Sequence, residues 1–109
     1  MKGPEPLVSI ITLNYNQTNV TCAFLESTRS LSYSNFEILV CDMASEVDPS
    51  SEIVARNFPK TTVLVSKVNL GFAGGNNWGM RFTVTCNFQG IARFVIILAI
   101  AQNKISTLS

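Results

Sequence analysis

The sequence contains no histidine, and only 14% of its 109 residues are charged, against about 25% in an average soluble domain. Without imidazole, the chain excludes histidine acid–base catalysis, histidine metal sites and Ser-His or Cys-His nucleophilic pairs. Carboxylates are also missing from residues 53–109, which carry six basic side chains, while residues 1–52 carry two basic and seven acidic ones. Any chemistry that needs a carboxylate after Glu52 is therefore excluded from this chain.

Cysteine is scarce as well. The chain has three cysteines, Cys22, Cys41 and Cys86, and none of them forms a CxxC motif. Because their number is odd, at least one thiol stays unpaired whatever disulfide is formed within the chain. This usage predicts reduced, buried thiols in a cytoplasmic protein.

Long apolar runs are absent too. The longest, residues 94–101, has eight residues, whereas a membrane-spanning helix needs about 20. The first seven residues include Glu5 and two prolines and do not form a signal peptide. We therefore predict no transmembrane segment. The basic residues of the second half are scattered without interleaved aromatics, which predicts no nucleic-acid partner.

What the sequence does contain is an alternation of short apolar runs with longer stretches in which apolar residues recur at helical spacing. Strands are predicted over 7–13, 36–41, 62–66 and 93–100, and helices over 18–31, 48–57 and 76–88. This alternation predicts an α/β fold with a mostly parallel sheet and helices on both faces. The length allows one domain, residues 1–109, with a core over 7–101.

Two of the helices carry specific expectations. Val20, Phe24, Thr28 and Leu31 recur at helical spacing and predict the buried face of the first helix. Asp48 is expected to cap the second helix, with Pro49 at its first position.

Ligands of open parallel sheets bind beyond the carboxyl ends of the strands, where Tyr15 and Asp42 fall. A carboxylate at Asp42 can accept hydrogen bonds from a ribose hydroxyl or a base N–H, or it can bond nearby backbone N–H groups as an ordinary loop-opening Asp. The ring of Tyr15 can face a nucleobase or can be a half-buried structural side chain. The residues alone leave these alternatives open.

A glycine-rich stretch, NLGFAGGNNWG, covers residues 69–79. It can form a phosphate cradle, with Asn76 and Asn77 capping a following helix, or simply a tight turn. Two known phosphate motifs are excluded. A P-loop needs Gly-Lys-Ser/Thr where this chain has Asn76, and a dinucleotide fingerprint follows the first strand rather than the third.

Three blocks in this order resemble the family 2 glycosyltransferases, in particular their rhamnosyltransferase-like branch, which makes bacterial surface polysaccharides. The blocks are VSIITLNYN at residues 8–16, NFEILVCDMAS at 35–45 and NLGFAGGNN at 69–77, and the resemblance covers residues 7–98. It implies a GT-A (Rossmann-like) fold, here ending after about the fourth strand, a nucleotide-diphospho-sugar donor and inversion at the anomeric carbon. It further implies a glycan or lipid-linked acceptor and a cytoplasmic protein that can lie peripherally at the inner face of the membrane.

The resemblance also assigns a nucleotide-sugar-binding set. Tyr15 would stack near the base, and Asp42 would contact the base or ribose. The glycine-asparagine stretch would line the donor. The complete predicted set is Asn14, Tyr15, Asp42, Gly71, Gly74, Gly75 and Asn76.

The chain departs from the family pattern in two places. After Asp42 the family usually reads Asn-x-Ser-x-Asp, but Met43 stands in the first of these positions, and we expect this to loosen the loop around the base. At the end of the fourth strand, an Asn-Asn-Asp run would supply a ligand to Mg²⁺ or Mn²⁺, and Ala99, Ile100 and Ala101 stand there. These side chains offer no hard oxygen ligand.

These departures define three hypotheses. The chain is the donor-binding part of a glycosyltransferase whose gene model is truncated or frameshifted near Ile100, with no catalytic residue or metal ligand of its own and no turnover alone. Alternatively, it is a non-catalytic nucleotide-binding remnant. The third hypothesis is an inactive truncated product, whose open sheet edge would promote association.

Overall fold

A computed structural model describes the backbone of residues 6–86 and 93–98 and the side chains of residues 6–83. Strands and helices alternate along the chain. In chain order they are β1 (Leu7–Asn14), α1 (Thr18–Ser27) with a 3₁₀ turn at Thr28–Ser30, β2 (Phe36–Met43), α2 (Ser50–Ala55), β3 (Thr61–Ser66), α3 (Gly71–Cys86) and β4 (Arg93–Leu98). No helix in the described ranges is long and apolar enough to span a bilayer.

The four strands form one parallel sheet in the order β3-β2-β1-β4. The register places Asn14 opposite Asp42 at the carboxyl end of the β1–β2 pair. The predicted strands are thus confirmed, with ends that differ by one or two residues. The last two residues of the predicted fourth strand, 99 and 100, lie outside the described residues.

The sheet is covered on both faces, as predicted. Alternate strand residues, among them Ile10, Ile38 and Val40, join one core with residues of α1 and α2. Their neighbours in sequence, among them Ile11 and Leu39, join a second core under α3. Each fully buried aliphatic side chain contributes about 1.5–3 kcal/mol relative to an exposed one. The near-continuous apolar runs of β1 and β2 are therefore explained by burial on both faces.

The first helix differs from its prediction. It ends at Ser27 rather than near Leu31, and its buried side chains are Thr21, Cys22 and Leu25. Val20 is exposed instead. The prediction is confirmed for Thr28, which is buried, and for Phe24, which packs against the core, but it is wrong for Val20 and Leu31, which are exposed. It followed the apolar residues, whereas α1 also turns Thr21 toward a polar group of the sheet.

The second helix starts one residue later than predicted, because Pro49 rather than Asp48 stands at the cap position and α2 begins at Ser50. The side chain of Asp48 accepts a hydrogen bond at 2.8 Å from the backbone N–H of Ser50, the first residue of α2. Hydrogen bonds from Ser50 lower the pKa of the exposed Asp48 carboxyl. The chain leaves α2 through Asn57 at a φ of 59°, a conformation that asparagine tolerates better than most residues.

Two cysteines are free thiols buried in the cores, Cys22 and Cys41, which confirms that part of the prediction. The side chain of Cys86 is not among those described. Burial raises the pKa of Cys41 from 9.0 to about 12, because a thiolate loses its hydration beneath α3. Neutral Cys41 therefore favours the folded state below pH 9, and this contribution is lost as the pH rises from 9 toward about 12.

We expect Cys41 in the folded chain to resist a thiol reagent at pH 8 and to react at once in denaturant, because the thiolate is the reactive species. Mass spectrometry of iodoacetamide-treated protein locates the label. Rapid labelling of Cys41 under native conditions would contradict its placement under α3. A Cys41→Ser variant provides the control for the assignment.

Candidate functional site

The carboxyl ends of β1 and β2 bring two fully buried polar side chains together. The Asn14 amide nitrogen donates to Asp42 Oδ1 at 2.9 Å, and both residues have no exposed surface. The Asn14 carbonyl oxygen accepts a hydrogen bond from the Thr21 hydroxyl of α1 at 2.6 Å. Because buried polar groups cost free energy unless they are paired, these contacts fix both side chains.

Ser45 completes the pairing of the Asp42 carboxylate. Its hydroxyl donates to Asp42 Oδ1 at 2.6 Å and its backbone N–H donates to Oδ2 at 3.0 Å. The same hydroxyl accepts a hydrogen bond from the Asn16 N–H at 2.8 Å. The turn between β2 and Ser45 passes through Ala44 at a φ of 64°, a left-handed conformation that is uncommon for alanine.

Asn16 links the loops after β1 and β2 a second time. Its side-chain oxygen accepts a hydrogen bond from the Glu46 N–H at 2.8 Å, and its own φ is 54°. We call Asn14, Asn16, Thr21, Asp42 and Ser45 the carboxyl-edge network. It joins two loops and one helix at the edge of the sheet where ligands of parallel α/β folds bind.

The network favours the structural interpretation of Asp42. Of the roughly four lone-pair positions of a carboxylate, three are used by Asn14 and Ser45. The remaining one, on Oδ2, is not accessible, because Asp42 has no exposed surface. Direct contact between Asp42 and a base or ribose stays a prediction.

Met43 does not leave the loop loose. Its side chain is fully buried in the core under α3, while Ser45 and Asn16 hold the loop through the network.

Tyr15 lies on the other face of the sheet. Its half-buried ring packs against the core formed by β1, β2 and α3, whereas Asp42 faces α1. The structure therefore supports the structural interpretation of this ring, although its exposed part borders the same edge. Contact with a nucleobase remains a prediction.

The glycine-rich stretch is not a loop, and this prediction was wrong. Helix α3 begins at Gly71 rather than near Asn76, so Gly74, Gly75 and Asn76 are helical, and their contact with a donor stays a prediction. Asn69, not Asn76 or Asn77, meets the start of the helix: its side-chain oxygen accepts a hydrogen bond from the Gly71 N–H at 2.8 Å.

The glycines serve the fold in two ways. Gly71 has a φ of 76°, which L-residues adopt at a cost of about 1–2 kcal/mol. Gly75 and Gly79 let α3 approach the sheet: an added Cβ at Gly75 would lie 2.9 Å from Met43 Sδ, and one at Gly79 would lie 2.9 Å from Cys41 Sγ. Close packing of helix on sheet therefore explains both positions.

Asn76 keeps one unusual feature. It is only 4% exposed, and within the part of the chain that the structure describes its Oδ1 atom has no hydrogen-bond partner. An unpaired buried acceptor costs about 1–3 kcal/mol. Asn76 therefore remains a candidate for contact with a ligand.

The described residues contain no cluster that could hold a divalent cation by itself. Among them no group of three or more Asp, Glu, His or Cys side chains is close enough together to hold one. At the carboxyl edge, the carboxylate of Asp42 is already hydrogen-bonded to Asn14 and Ser45. Ala99, Ile100 and Ala101, where the family pattern has its metal ligand, lie outside the described residues.

Sequence reasoning missed Ser45, Asn16 and Thr21 as members of the network. Ser45 and Asn16 lie within the sequence blocks that resemble the family, but nothing in the sequence indicated that they contact each other. Thr21 lies on a helix whose apolar pattern pointed to other residues, so no sequence signal marked it.

A concavity of about 320 Å³ lies at the opposite edge of the sheet, near the amino ends of β2 and β3. Phe36, Phe58 and Lys60 contribute to its lining, and the Lys60 ammonium lies 4.1 Å from the centroid of the Phe36 ring. None of the predicted site residues lines it.

Comparison with known proteins gives one family. Residues 9–85 match the family described as glycosyl transferase family 2. A curated relative from Escherichia coli, UDP-Glc:alpha-D-GlcNAc-diphosphoundecaprenol beta-1,3-glucosyltransferase WfgD, is 29% identical over 76 residues, which are 70% of this chain and 30% of that protein. The chain thus spans less than a third of the length of this relative. With its parallel α/β sheet of the GT-A type and a match over most of its length, the chain belongs to glycosyl transferase family 2.

Proposed function

We propose that the carboxyl edge of this chain binds a nucleotide-diphospho-sugar, the donor in glycosyl transfer to a glycan or lipid-linked acceptor with inversion at the anomeric carbon. The observation that carries the proposal is the carboxyl-edge network, which rigidly joins the loops after β1 and β2 where ligands of such sheets bind. The E. coli relative is named for a uridine-diphosphate sugar and a diphosphoundecaprenol acceptor, which favours a uridine nucleotide and a lipid-linked acceptor.

The chain's own residues would bind and orient the donor. The exposed part of the Tyr15 ring offers a face for the base, with stacking worth about 1–3 kcal/mol. The diphosphate would lie at the first turn of α3, where backbone N–H groups beyond Gly71 favour an anion. Asn14 and Asp42, which are buried beneath the site, would hold the two loops in position. The unpaired Asn76 side-chain oxygen would accept a hydrogen bond from the ligand.

We further propose that this chain binds its donor without transferring the sugar. A divalent cation would stabilise charge on the departing nucleoside diphosphate, and the described residues contain no cluster of ligands that would hold one by itself. A catalytic base for the acceptor hydroxyl has no candidate after Glu52, because the sequence has neither histidine nor a carboxylate there. Loss of general base catalysis alone costs about 10²- to 10⁴-fold in rate. We therefore assign no catalytic residue and no metal ligand.

Calorimetric titration tests the proposal. We expect UDP or dTDP to bind the 109-residue chain, and Tyr15→Ala to weaken binding about tenfold because a stacking surface is lost. Tyr33→Ala is the matched control, since Tyr33 lies at the amino end of the sheet and donates to the Pro6 carbonyl. Absence of heat up to millimolar nucleotide, or equal weakening by both variants, would contradict the assignment.

A transfer assay addresses the second proposal. We expect no sugar transfer from nucleotide sugars by the purified chain in the presence of Mn²⁺. Metal-dependent transfer by the purified chain would contradict this proposal.

A further inference from the structure

The concavity near the amino ends of β2 and β3 has no part in the proposed function. Its volume of about 320 Å³ falls within the range of small-molecule sites, about 300–1,000 Å³. One wall is the segment that runs from the 3₁₀ turn into β2, and the other is residues 58–61, which lead into β3. None of the residues that line it belongs to the predicted donor-binding set, which lies toward the opposite edge of the sheet.

Much of the lining is apolar. Ile38 and Phe58 line the concavity and are otherwise buried in the core between the sheet and α1. Leu31 is 48% exposed and lines the concavity together with the rings of Tyr33 and Phe36. An exposed leucine beside aromatic rings is a surface that an aromatic ligand would remove from water.

Two cations border this apolar surface, each over an aromatic ring. The Lys60 ammonium lies 4.1 Å from the centroid of the Phe36 ring, and the Arg29 guanidinium carbon lies 4.5 Å from that of Phe58. Among the described residues, no Asp or Glu lines the concavity. Arg29 is paired with Glu26, whereas Lys60 forms no ion pair within the described part of the chain. The lining therefore carries positive charge beside an apolar surface.

Backbone carbonyls hold both cations in place and leave some of their N–H groups free. Lys60 Nζ donates to the Ser34 carbonyl oxygen, and Arg29 Nη2 donates to the Arg56 carbonyl oxygen at 2.8 Å. An ammonium has three donors and a guanidinium has five. Two donors of Lys60 and the two on Arg29 Nη1 therefore have no acceptor among the described residues. Hydrogen bonds from such cations to a carboxylate are about twice as strong as neutral ones.

We propose that this concavity binds a small aromatic carboxylate. The ring of the ligand packs against Leu31 and the two phenylalanines, and its carboxylate accepts hydrogen bonds from Lys60. An inorganic anion would leave the apolar lining in contact with water, and a neutral apolar molecule would leave the ammonium without an acceptor. Because the concavity lies at the amino ends of the strands, the proposal is independent of nucleotide binding at the carboxyl edge.

Amide chemical-shift mapping with 2-naphthoate tests the proposal on the full-length chain. We expect saturable shifts at residues 28–34 and 58–61, which surround the concavity. The matched neutral probe is 2-naphthalenemethanol, which has the same rings without the charge and should bind about fivefold more weakly. Acetate, which has the charge without the rings, should not displace naphthoate at equal concentration.

Lys60→Gln should weaken naphthoate binding about fivefold, because an ion pair at the surface is lost, and should leave the affinity for naphthalenemethanol unchanged. Lys60→Arg should retain the affinity for naphthoate. Lys67→Gln is the control, since it removes the same charge from an exposed position outside the concavity. Circular dichroism shows that each variant is folded.

Equal affinity for naphthoate and the neutral probe, equal loss in Lys60→Gln and Lys67→Gln, or no saturation at millimolar naphthoate would overturn the proposal. Displacement of naphthoate by acetate would overturn it in favour of a simple anion site. Displacement by millimolar UDP would assign the concavity to nucleotide binding instead. Shifts of the same amides when the free chain is diluted would assign it to an interface between two copies, which would also overturn the proposal.

Discussion

Replacement of Asn14 by alanine is expected to lower the free energy of unfolding by about 3–4 kcal/mol, among the largest effects of any single substitution in this chain. The variant removes the amide donor at 2.9 Å from the buried Asp42 carboxylate. It also leaves the hydroxyl of Thr21 without the acceptor that it contacts at 2.6 Å. Both groups would then be buried with incomplete hydrogen bonding, and the carboxylate bears the larger penalty because it is charged.

Urea unfolding followed by circular dichroism measures this effect. Asn19→Ala is the matched control, because Asn19 lies exposed on α1 and surface substitutions usually change stability by less than about 0.5 kcal/mol. If Asn14→Ala cost no more than Asn19→Ala, the carboxyl-edge network would not be a buried, mutually dependent unit.

Replacement of Gly79 by valine is expected to destabilise the fold by about 3 kcal/mol, because it overfills the contact between α3 and the sheet. The first added carbon alone would lie 2.9 Å from both Cys41 Sγ and Ile11 Cγ2. These partners are fully buried strand residues and have no space to move into. The helix would therefore have to lift from the sheet.

Gly74→Val is the control for this prediction. It makes the same substitution on the same helix, where an added Cβ would meet one atom, Leu70 Cβ at 3.1 Å, and Leu70 is partly exposed in the loop before α3. We expect a smaller cost there than at Gly79, because one contact at 3.1 Å replaces two contacts at 2.9 Å with fully buried residues. Equal costs at the two positions would mean that helix propensity, rather than close packing, determines the effect.

The strands could be predicted from the sequence because burial on both faces leaves near-continuous apolar runs. The meeting of Asn14 and Asp42 was also predictable, since residues that end neighbouring parallel strands lie at one edge. The start of α3 was not, because four glycines in nine residues have low helix propensity. Tertiary packing overrides that propensity, because this segment is stabilised as a helix by its contact with the sheet. Glycine stands at positions 75 and 79 because the sheet leaves no space for a side chain there.

The sequence predicted that Asn14 and Asp42 lie at the carboxyl edge of the sheet, but not how their side chains interact. The family pattern marked Asp42 as a ligand contact, yet the structure buries its carboxylate and assigns the exposed positions to Asn16 and the Ser45 loop. The hydrogen bonds of Ser45 depend on the left-handed backbone conformation of Ala44. Alanine rarely adopts this conformation, so the sequence did not predict the turn. The inward position of Thr21 likewise follows from its contact with Asn14 rather than from helical periodicity.

Amide chemical-shift mapping by NMR tests most directly the central claim, that the carboxyl edge of this chain binds the nucleotide donor. On addition of UDP, the account predicts the largest shifts in residues 15–17, 44–46 and 70–73, which surround the carboxyl-edge network and the start of α3. Shifts concentrated at residues 58–61, at the opposite edge of the sheet, or no shifts at millimolar UDP, would contradict it.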